Sequence, residues 1–325
     1  MFRLQGVLKV CFIAMLIFLS GCDNGNRQSN HNQASTTSIS LAIDLWPGYY
    51  PIILADELGM LKKRNISLEL SIPRNTDRML AKFAAAEYDA IAVALGDVMN
   101  LSQQYPDARI VMVADESSGG DAILARSDQQ VIKGTKIGTN LGGFGELLVR
   151  RFLDANDIAI DDVTLMNIEV SHAAKLLNNN SIDYAHTWQP YVDEMVAGGA
   201  HVVYSSAQTP GLIPDVIAMQ SAFIENNHEA ARGFVDAWFE AQAWWLENPS
   251  KGNEIIARVI KQTPQSIKLN GVKLLNRADN FAAFTSQNSA GLNSVIGVYN
   301  QFYVGQGIIA KPIRSERLLD ARLIQ

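Results

Sequence analysis

Strand-like and helix-like segments alternate along most of the chain, and this alternation constrains the fold more than any other feature. The segments SISLAID, ISLELSIP, DAIAVAL and ARIVMVAD are typical of buried strands, and helical segments lie between them. Helices are predicted over 50–63, with Pro51 in the first turn, and over 76–86, with Thr76 or Asn75 as the cap. Short buried strands separated by helices indicate an α/β fold with mostly parallel sheets.

A second series of strands begins after the glycine pair at 119–120. DAILAR, TKIGTN, VTLMNIEV, IDYAHTW and HVVYSS predict strands, and the loop TPGLIPD leads to a further strand, VIAMQS. We therefore predict two lobes, with 39–120 and 215–325 in lobe 1 and 121–214 in lobe 2. The rest of the chain is predicted to be helical, without further strands, and to pack on lobe 1.

The N-terminal residues predict a lipoprotein signal peptide over 1–21. Their apolar run, VCFIAMLIFL, is too short to span a bilayer as a permanent helix. The LSGC that follows resembles a bacterial lipobox, which implies that Cys22 carries the lipid; the alternative is an ordinary signal peptide with a chance cysteine. The polar residues up to 38 predict a flexible tether.

The position of Asp23 bears on the membrane that holds this anchor. An aspartate directly after the lipidated cysteine resembles a retention signal for the inner membrane, so the expected location is the periplasmic side of that membrane. The second cysteine, Cys11, lies in the predicted signal peptide. No disulfide is therefore expected in the mature chain.

Charge and motif content exclude several classes of function. The net charge is −6 and no basic cluster is apparent, which argues against a nucleic-acid partner and against broad attraction to anionic lipid. The chain contains no Gly-x-Ser-x-Gly, phosphate-loop or His-Glu-x-x-His motif, and its five histidines are scattered. We expect no catalytic residue, no metal and no cofactor, and hence no enzyme.

Polar and aromatic residues concentrate at the strand ends, where ligands bind in open α/β sheets. We expect the following candidates to line one cleft between the lobes: Asp44, Trp46, Gly48, Tyr49, Thr76, Asp97, Ser117, Ser118, Asp121, Gly143, Trp188, Tyr191 and Asp215.

Several of these residues permit two interpretations. Trp46 stacks on a ligand or belongs to the lobe core. Gly48 lets a ligand approach the helix N-terminus near Tyr49, which suits an anion, and the same interpretation applies to the turn at 142–145. The alternative there is a tight strand-to-helix turn.

The residues at the two crossings permit two interpretations as well. Ser117 and Ser118 contact a polar ligand or shape the hinge. Asp121 and Asp215 receive an ammonium or amidine group, or they cap loops. Trp188 and Tyr191 come after the strand residues IDYAHT and face the cleft, or they form a helix N-terminus with a packed aromatic.

The segment WPGYYPIILADELGMLKKRNISLEL resembles the opening of periplasmic solute-binding proteins of the nitrate, taurine, aliphatic sulfonate and thiamine-pyrimidine-precursor group. DESSGGDAILAR, GTKIGTN, SIDYAHTWQPYVDEMVAGGA and TPGLIPDVIAM continue the match in family order, and the resemblance covers nearly all of 39–310. It implies the two-lobe α/β fold of periplasmic binding proteins, with two crossovers. It also implies closure on a small-molecule ligand and delivery to an ABC permease in the inner membrane. A monomer is expected.

The ligand class follows from the charges near the predicted cleft. Basic residues are few there (Arg74, with His172 and His186), whereas Asp44, Asp121 and the further acid at the return crossing are present. This balance favours an amine-bearing heteroaromatic molecule, such as a pyrimidine, over a sulfonate or taurine-like ligand, and it weakens a nitrate assignment most.

Two other functions use the same fold. One is a sensory module that presents a ligand to a membrane receptor kinase or a cyclic-dinucleotide enzyme, which the sequence alone does not separate from an importer. The other is an enzyme of pyrimidine synthesis, which is disfavoured because the mature chain has no thiol besides Cys22.

Overall fold

A computed structural model describes residues 35–73, 75–127, 131–286 and 291–325. The predicted signal peptide, Cys22 and Arg74 lie outside the described residues. Ser35–Gln325 forms one compact unit. No helix in these described ranges is both long and apolar enough to cross a membrane.

The described strands follow in chain order: β1 (Thr37–Ile43), β2 (Ile66–Ser71), β3 (Ala90–Ala94), β4 (Ala108–Ser117), β5 (Asp121–Ala125), β6 (Thr135–Thr139), β7 (Val163–Asn167), β8 (Tyr184–Trp188), β9 (His201–Ser205), β10 (Pro214–Gln220) and β11 (Val272–Leu274). The described α-helices are α1 (Pro51–Glu57), α2 (Thr76–Ala84), α3 (Leu95–Leu101), α4 (Phe144–Ala155), α5 (Ala173–Asn178), α6 (Tyr191–Ala197), α7 (Ser221–Asn226), α8 (His228–Glu247), α9 (Pro249–Ile260), α10 (Arg277–Thr285) and α11 (Leu292–Gly305).

These strands form two sheets flanked by helices. The first has six strands in the order β11-β4-β10-β3-β1-β2, and the second has five in the order β7-β6-β8-β5-β9. In the first sheet β1 to β4 run in one direction, and β10 and β11 run against them. In the second sheet only β5 runs against the other four. The predicted two-lobe fold with mostly parallel strands is confirmed.

The chain passes twice between the two sheets. It leaves the first sheet at the end of β4 and enters the second with β5, and it returns between β9 and β10. The first strand begins at Thr37, so it takes in the last residues of the predicted tether.

Two details of the first lobe differ from expectation. The helix predicted over 50–63 ends at Glu57, because Gly59 adopts a left-handed φ of 71° that ends a helix. The C-terminal part also contains a strand, β11, which pairs with the end of β4. A three-residue strand has too little local pattern to be predicted, since its pairing depends on a distant partner.

Helix caps and apolar faces agree with the sequence pattern. Asn75 caps α2, since its side-chain oxygen accepts a hydrogen bond from the Arg78 N–H at 2.7 Å. The face of α8 that carries Phe234, Trp238 and Trp245 is buried, as predicted from its helical spacing. This packing contributes to the core of the first lobe.

Candidate functional site

A cavity with an empty volume of about 410 Å³ lies between the two sheets. Eight of the predicted ligand-binding residues line it: Asp44, Trp46, Tyr49, Thr76, Asp97, Asp121, Trp188 and Asp215. Ala92, Val93, Ala94, Phe144 and Ile213 complete the lining.

Strand register brings the acids to this cavity. Asp44 follows β1 and Asp97 lies just beyond β3. Asp215 is the second residue of the antiparallel strand β10 and pairs with Ala94 at the end of β3, so it reaches the same sheet edge. In the second sheet Asp121 begins β5 directly opposite Trp188, which ends β8. A residue at the start of an antiparallel strand therefore reaches the same edge of the sheet as a residue at the end of a parallel strand.

Trp46 is both a core residue and a wall of the cavity. Its side chain is buried, and its indole Nε1–H donates to both carboxyl oxygens of Asp115, at 2.9 and 3.1 Å. A Cβ on Gly120, at the first crossing, would lie 2.5 Å from the Trp46 ring. Trp46 is thus a core residue that also lines the cavity, and stacking on a ligand stays a prediction. The sequence missed its partner Asp115.

Gly48 leaves room for the contact between Trp46 and Asp115. A Cβ at Gly48 would lie 1.8 Å from Asp115 Oδ2 and 2.8 Å from Trp46 Nε1. The residue is buried and lies outside the cavity lining. The expected approach of a ligand to the backbone at Gly48 is corrected: the absence of a side chain there makes room for a buried carboxyl group.

Tyr49 and Asp215 are hydrogen-bonded neighbours in the cavity lining. The Tyr49 hydroxyl donates to Asp215 Oδ1. Burial, and then the charge of Asp115, raise the pKa of Asp215 well above its ordinary value, and burial raises the pKa of Asp115 as well. These two carboxyl groups therefore retain protons at pH values where exposed aspartates are ionised.

Asp44 and Asp97 are two further acids of the cavity lining. Asp44 accepts hydrogen bonds from Leu45 N–H at 2.6 Å and from Thr76 Oγ1–H at 3.1 Å, and burial raises its pKa. For Asp97, burial and then the charges of Asp77 and Asp44 raise the pKa to about 7. Asp97 thus changes its charge near neutral pH.

Asp121 differs from these acids because one of its carboxyl oxygens is buried without a hydrogen bond from a described residue. Its side chain is 2% exposed, and its Oδ1 lies 3.4 Å from His186 Nε2. Neither atom has a hydrogen-bond partner among the described residues. Phe144 packs edge-on against His186 and at a tilt against Trp188, with centroids 5.9 and 5.6 Å apart. The second-lobe wall therefore joins aromatic rings to an unsatisfied carboxyl oxygen.

An outer cavity with an empty volume of about 630 Å³ shares part of this lining. Asp44, Thr76, Asp97, Phe144 and Trp188 face both spaces. Tyr191, a predicted ligand-binding residue, lines only the outer one, together with Asp77, Asn140, Ile168, Glu169, Val170 and Ser171. Among the described residues, neither lining contains a lysine or an arginine.

Ser117 and Ser118 lie at the crossing, outside both linings. Ser117 Oγ accepts from the Asp121 N–H at 3.0 Å and lies 2.8 Å from Ser206 Oγ on the return segment. The N–H groups of Ser118 and Gly120 donate to the Gly271 carbonyl oxygen at 2.7 and 3.0 Å. These contacts support the hinge interpretation of the two serines.

Gly143 precedes α4 and is also outside both linings. The turn before the helix faces a carboxylate of its own, because Gly142 N–H donates to Glu146 Oε2 at 2.8 Å. Glu146 in turn pairs with Arg150 at 2.7 Å. This arrangement favours the interpretation as a tight turn over that as an anion site.

Phe144, Ile213 and the end of β3 are cavity residues that the sequence analysis did not select. Phe144 directly follows the glycine pair that opens α4, and that position was the available signal. Small residues at Ala92 and Ala94 leave space above the sheet edge, which a strand pattern alone does not reveal.

A separate groove on the first lobe corrects the expectation that no basic cluster exists. Lys311, Arg314 and Arg317 line it, and it shares no residue with the cavities described above. Their three-residue spacing in a segment with only a short 3-10 turn, Ser315–Arg317, hides the cluster in the sequence.

Comparison with known proteins assigns this two-lobe chain to a family. A model described as the NMT1-like family matches residues 32–261. The chain belongs to this family. A protein of Bacillus subtilis (strain 168), described as an aliphatic sulfonates-binding protein, is 20% identical to the NMT1-like chain over 260 residues, which cover 77% of each chain.

Solved structures show the same fold. The ligand-binding component of an ABC-type import system from Staphylococcus aureus, with zinc bound, has a TM-score of 0.73 at 10% identity and covers 89% of this chain and 98% of its own. The periplasmic aliphatic sulphonate-binding protein SsuA from Escherichia coli has a TM-score of 0.70 at 15% identity and covers 87% and 98%. The resemblance predicted from the sequence is thus confirmed for family and fold.

The fold alone does not separate binding proteins from enzymes. The desulfurization enzyme DSZB has a TM-score of 0.66 to this NMT1-like chain at 15% identity and covers 88% and 97%. Function therefore has to be argued from the cavity.

Proposed function

We propose that this chain is an extracytoplasmic solute-binding protein that captures a small amine-bearing molecule between its lobes and delivers it to an ABC import permease. The observation that carries the proposal is the cavity lining, which combines Asp44, Asp97, Asp121 and Asp215 with aromatic rings. No described lining residue is a lysine or an arginine.

The charge of the cavity selects the ligand. A buried carboxylate is costly unless a positive group or hydrogen-bond donors compensate it, and an ammonium or amidinium group supplies both. Trp46, Phe144 and Trp188 offer faces for stacking and for cation–π contact. A sulfonate would add a negative charge to this lining, so an aminopyrimidine or another amine-bearing ring fits better.

The fold supplies the rest of the mechanism. Asp121 and Asp215 come from different sheets, so a ligand held between them joins the lobes. The crossings at 118–120 and 206–213 act as the hinge in this proposal, between a lobe 1 of 39–120 and 215–325 and a lobe 2 of 121–214. No bond is made or broken, and the function is binding alone.

The location belongs to the same proposal. LSGC and Asp23 support a lipid on Cys22 and retention at the inner membrane, where a permease would receive the ligand. The relatives described as binding proteins support a periplasmic location in this role. That the protein acts as a monomer is part of the proposal.

The test is to identify what the protein retains. The chain from residue 23 onward contains every described residue, and native mass spectrometry of this form reports any co-purified molecule. A panel of amines, aminopyrimidines and aliphatic sulfonates is then added while the melting temperature is measured. Ligand at 100 times Kd stabilises by about 2.7 kcal/mol. Amine-bearing compounds are expected to raise the melting temperature; a rise with sulfonates and none with amines would overturn the proposal.

A further inference from the structure

The four acids of the inner cavity divide into two pairs by position. Asp44 and Asp97 line both cavities, so they lie where the inner space meets the outer one. Asp121 and Asp215 line only the inner cavity, and both lie next to a crossing. The two pairs therefore differ in position: one borders the outer cavity, and the other lies beside the crossings.

The pair at the hinge end has unused acceptor capacity. Asp215 Oδ1 accepts one hydrogen bond, from the Tyr49 hydroxyl. Asp121 Oδ1 has no hydrogen-bond partner among the described residues, although the residue is 2% exposed, and His186 Nε2 lies 3.4 Å from it. A buried polar atom without a hydrogen bond usually marks a missing water, ion or ligand. A donor on a ligand would complete this end.

The outer pair is partly satisfied. The Asp44 carboxyl group accepts from Leu45 N–H and Thr76 Oγ1–H, each at one oxygen. A carboxylate has about four acceptor sites, so capacity remains. Burial, and then repulsion by the charges of Asp77 and Asp44, raise the pKa of Asp97. A positive group near both would relieve this repulsion.

We propose that the ligand carries two positively charged nitrogen groups, one held between Asp121 and Asp215 and the other beside Asp44 and Asp97. A flat body between these groups lies against Trp46 and Phe144. This inference rests on the proposed function and names the class of its ligand.

A ligand with one positive group would leave one pair of acids uncompensated. Removing one partner from a buried charge pair costs more than the pair itself contributes, because the remaining charge stays desolvated. With two positive groups, both ends are neutralised. The nitrogen at the hinge end also touches a residue from each sheet, so it is the group that favours closure.

The experiment compares two probes that share one ring. Benzylamine has one ammonium group, and 1,4-bis(aminomethyl)benzene has two. Their affinities for the chain from residue 23 onward are measured by isothermal titration calorimetry at fixed pH and salt. We expect the diamine to bind at least tenfold more tightly, a difference of about 1.4 kcal/mol.

Variants assign the two ends. Asp215→Asn and Asp97→Asn keep the shape of the side chain and remove one carboxyl group from each pair. Each is expected to reduce the diamine's advantage over benzylamine, whereas Asp161→Asn, at an exposed acid of the second lobe, leaves the ratio unchanged. Circular dichroism checks that each variant is folded, and the ratio measured on the unmodified chain tests the inference without any variant.

The outcomes separate the two proposals. If both amines bind equally well, the ligand class with two positive groups is wrong and the amine-binding function stands. If neither amine binds and an aliphatic sulfonate does, the proposed function fails as well.

Discussion

The two walls of the inner cavity are built differently. On the first-lobe wall the side chains are hydrogen-bonded to one another, since Trp46 donates to Asp115 and Tyr49 donates to Asp215. The second-lobe wall is unfinished, because Asp121 and His186 each have a polar atom without a hydrogen-bond partner in the described part of the chain. A binding site of this kind presents one preformed surface and one that a ligand completes.

The largest effect that tests this contrast is expected from Trp46→Ala. The change removes a buried ring and leaves Asp115 without its indole donor, so it should cost about 3–5 kcal/mol of unfolding free energy as well as ligand binding. Urea unfolding measures the first and calorimetry the second. Trp188→Ala, on the half-buried opposite wall, is the matched control and should lose binding with a smaller loss of stability. Equal losses of unfolding free energy in Trp46→Ala and Trp188→Ala would contradict the difference between the two walls.

Gly48→Ala tests the first wall without removing a side chain. The added methyl group would overlap Asp115 Oδ2, so the Trp46–Asp115 contact must shift. We expect a loss of about 1–3 kcal/mol in urea unfolding. Gly59→Ala also replaces a glycine next to α1, but there strain comes from φ alone, since nothing lies within 4 Å of the new Cβ. An unchanged stability for Gly48→Ala would mean that the wall adapts easily.

Asp121→Asn tests the second wall. The substitution keeps the shape and replaces a buried carboxyl group whose Oδ1 has no hydrogen-bond partner in the described ranges, so stability should hold or rise. Binding of 1,4-bis(aminomethyl)benzene should weaken more than tenfold, by about 2 kcal/mol or more. Thermal unfolding and calorimetry on the same sample check both statements. A destabilised variant with unchanged affinity would make Asp121 a structural residue.

A smaller effect is expected from pH. Because the pKa of Asp97 is raised to about 7, the folded chain binds this proton more tightly than the unfolded chain does. The free energy of unfolding should therefore fall as pH rises from about 4 to 7. Asp97→Asn should remove this part of the slope, as measured by urea unfolding at pH 5 and pH 8.

Ligand binding should show the opposite trend with pH. A cation favours the ionised form of Asp97, so the affinity of the wild-type chain for a diamine should increase between pH 6 and pH 8. A flat profile would place the second positive group elsewhere in the cavity.

The sequence predicted which residues line the cavity better than it predicted the contacts that each of them makes. The rule that ligands bind at strand ends selected Asp44, Asp121 and Asp215, because strand boundaries are visible in local patterns. The role of Gly48 was not accessible, since it depends on Asp115, which follows in a different strand and meets Trp46 only after folding.

The fold shows the same division. Alternating strands and helices with a family resemblance predicted two lobes and both crossings. β11 was missed, because three residues carry no period and their pairing with β4 is set by tertiary contact. Asn75 was one of two possible caps, and its hydrogen bond to Arg78 N–H decided between them.

The hydrogen bonds to Gly271 have a mechanical consequence. Ser118 and Gly120 both donate to its carbonyl oxygen, so the first crossing is clamped to the segment just before β11. A Cβ on Gly271 would lie 2.2 Å from Gly120 N, which leaves no space between the two segments. We expect this clamp to serve as a pivot, one that permits rotation of the lobes and resists their sliding along the cleft.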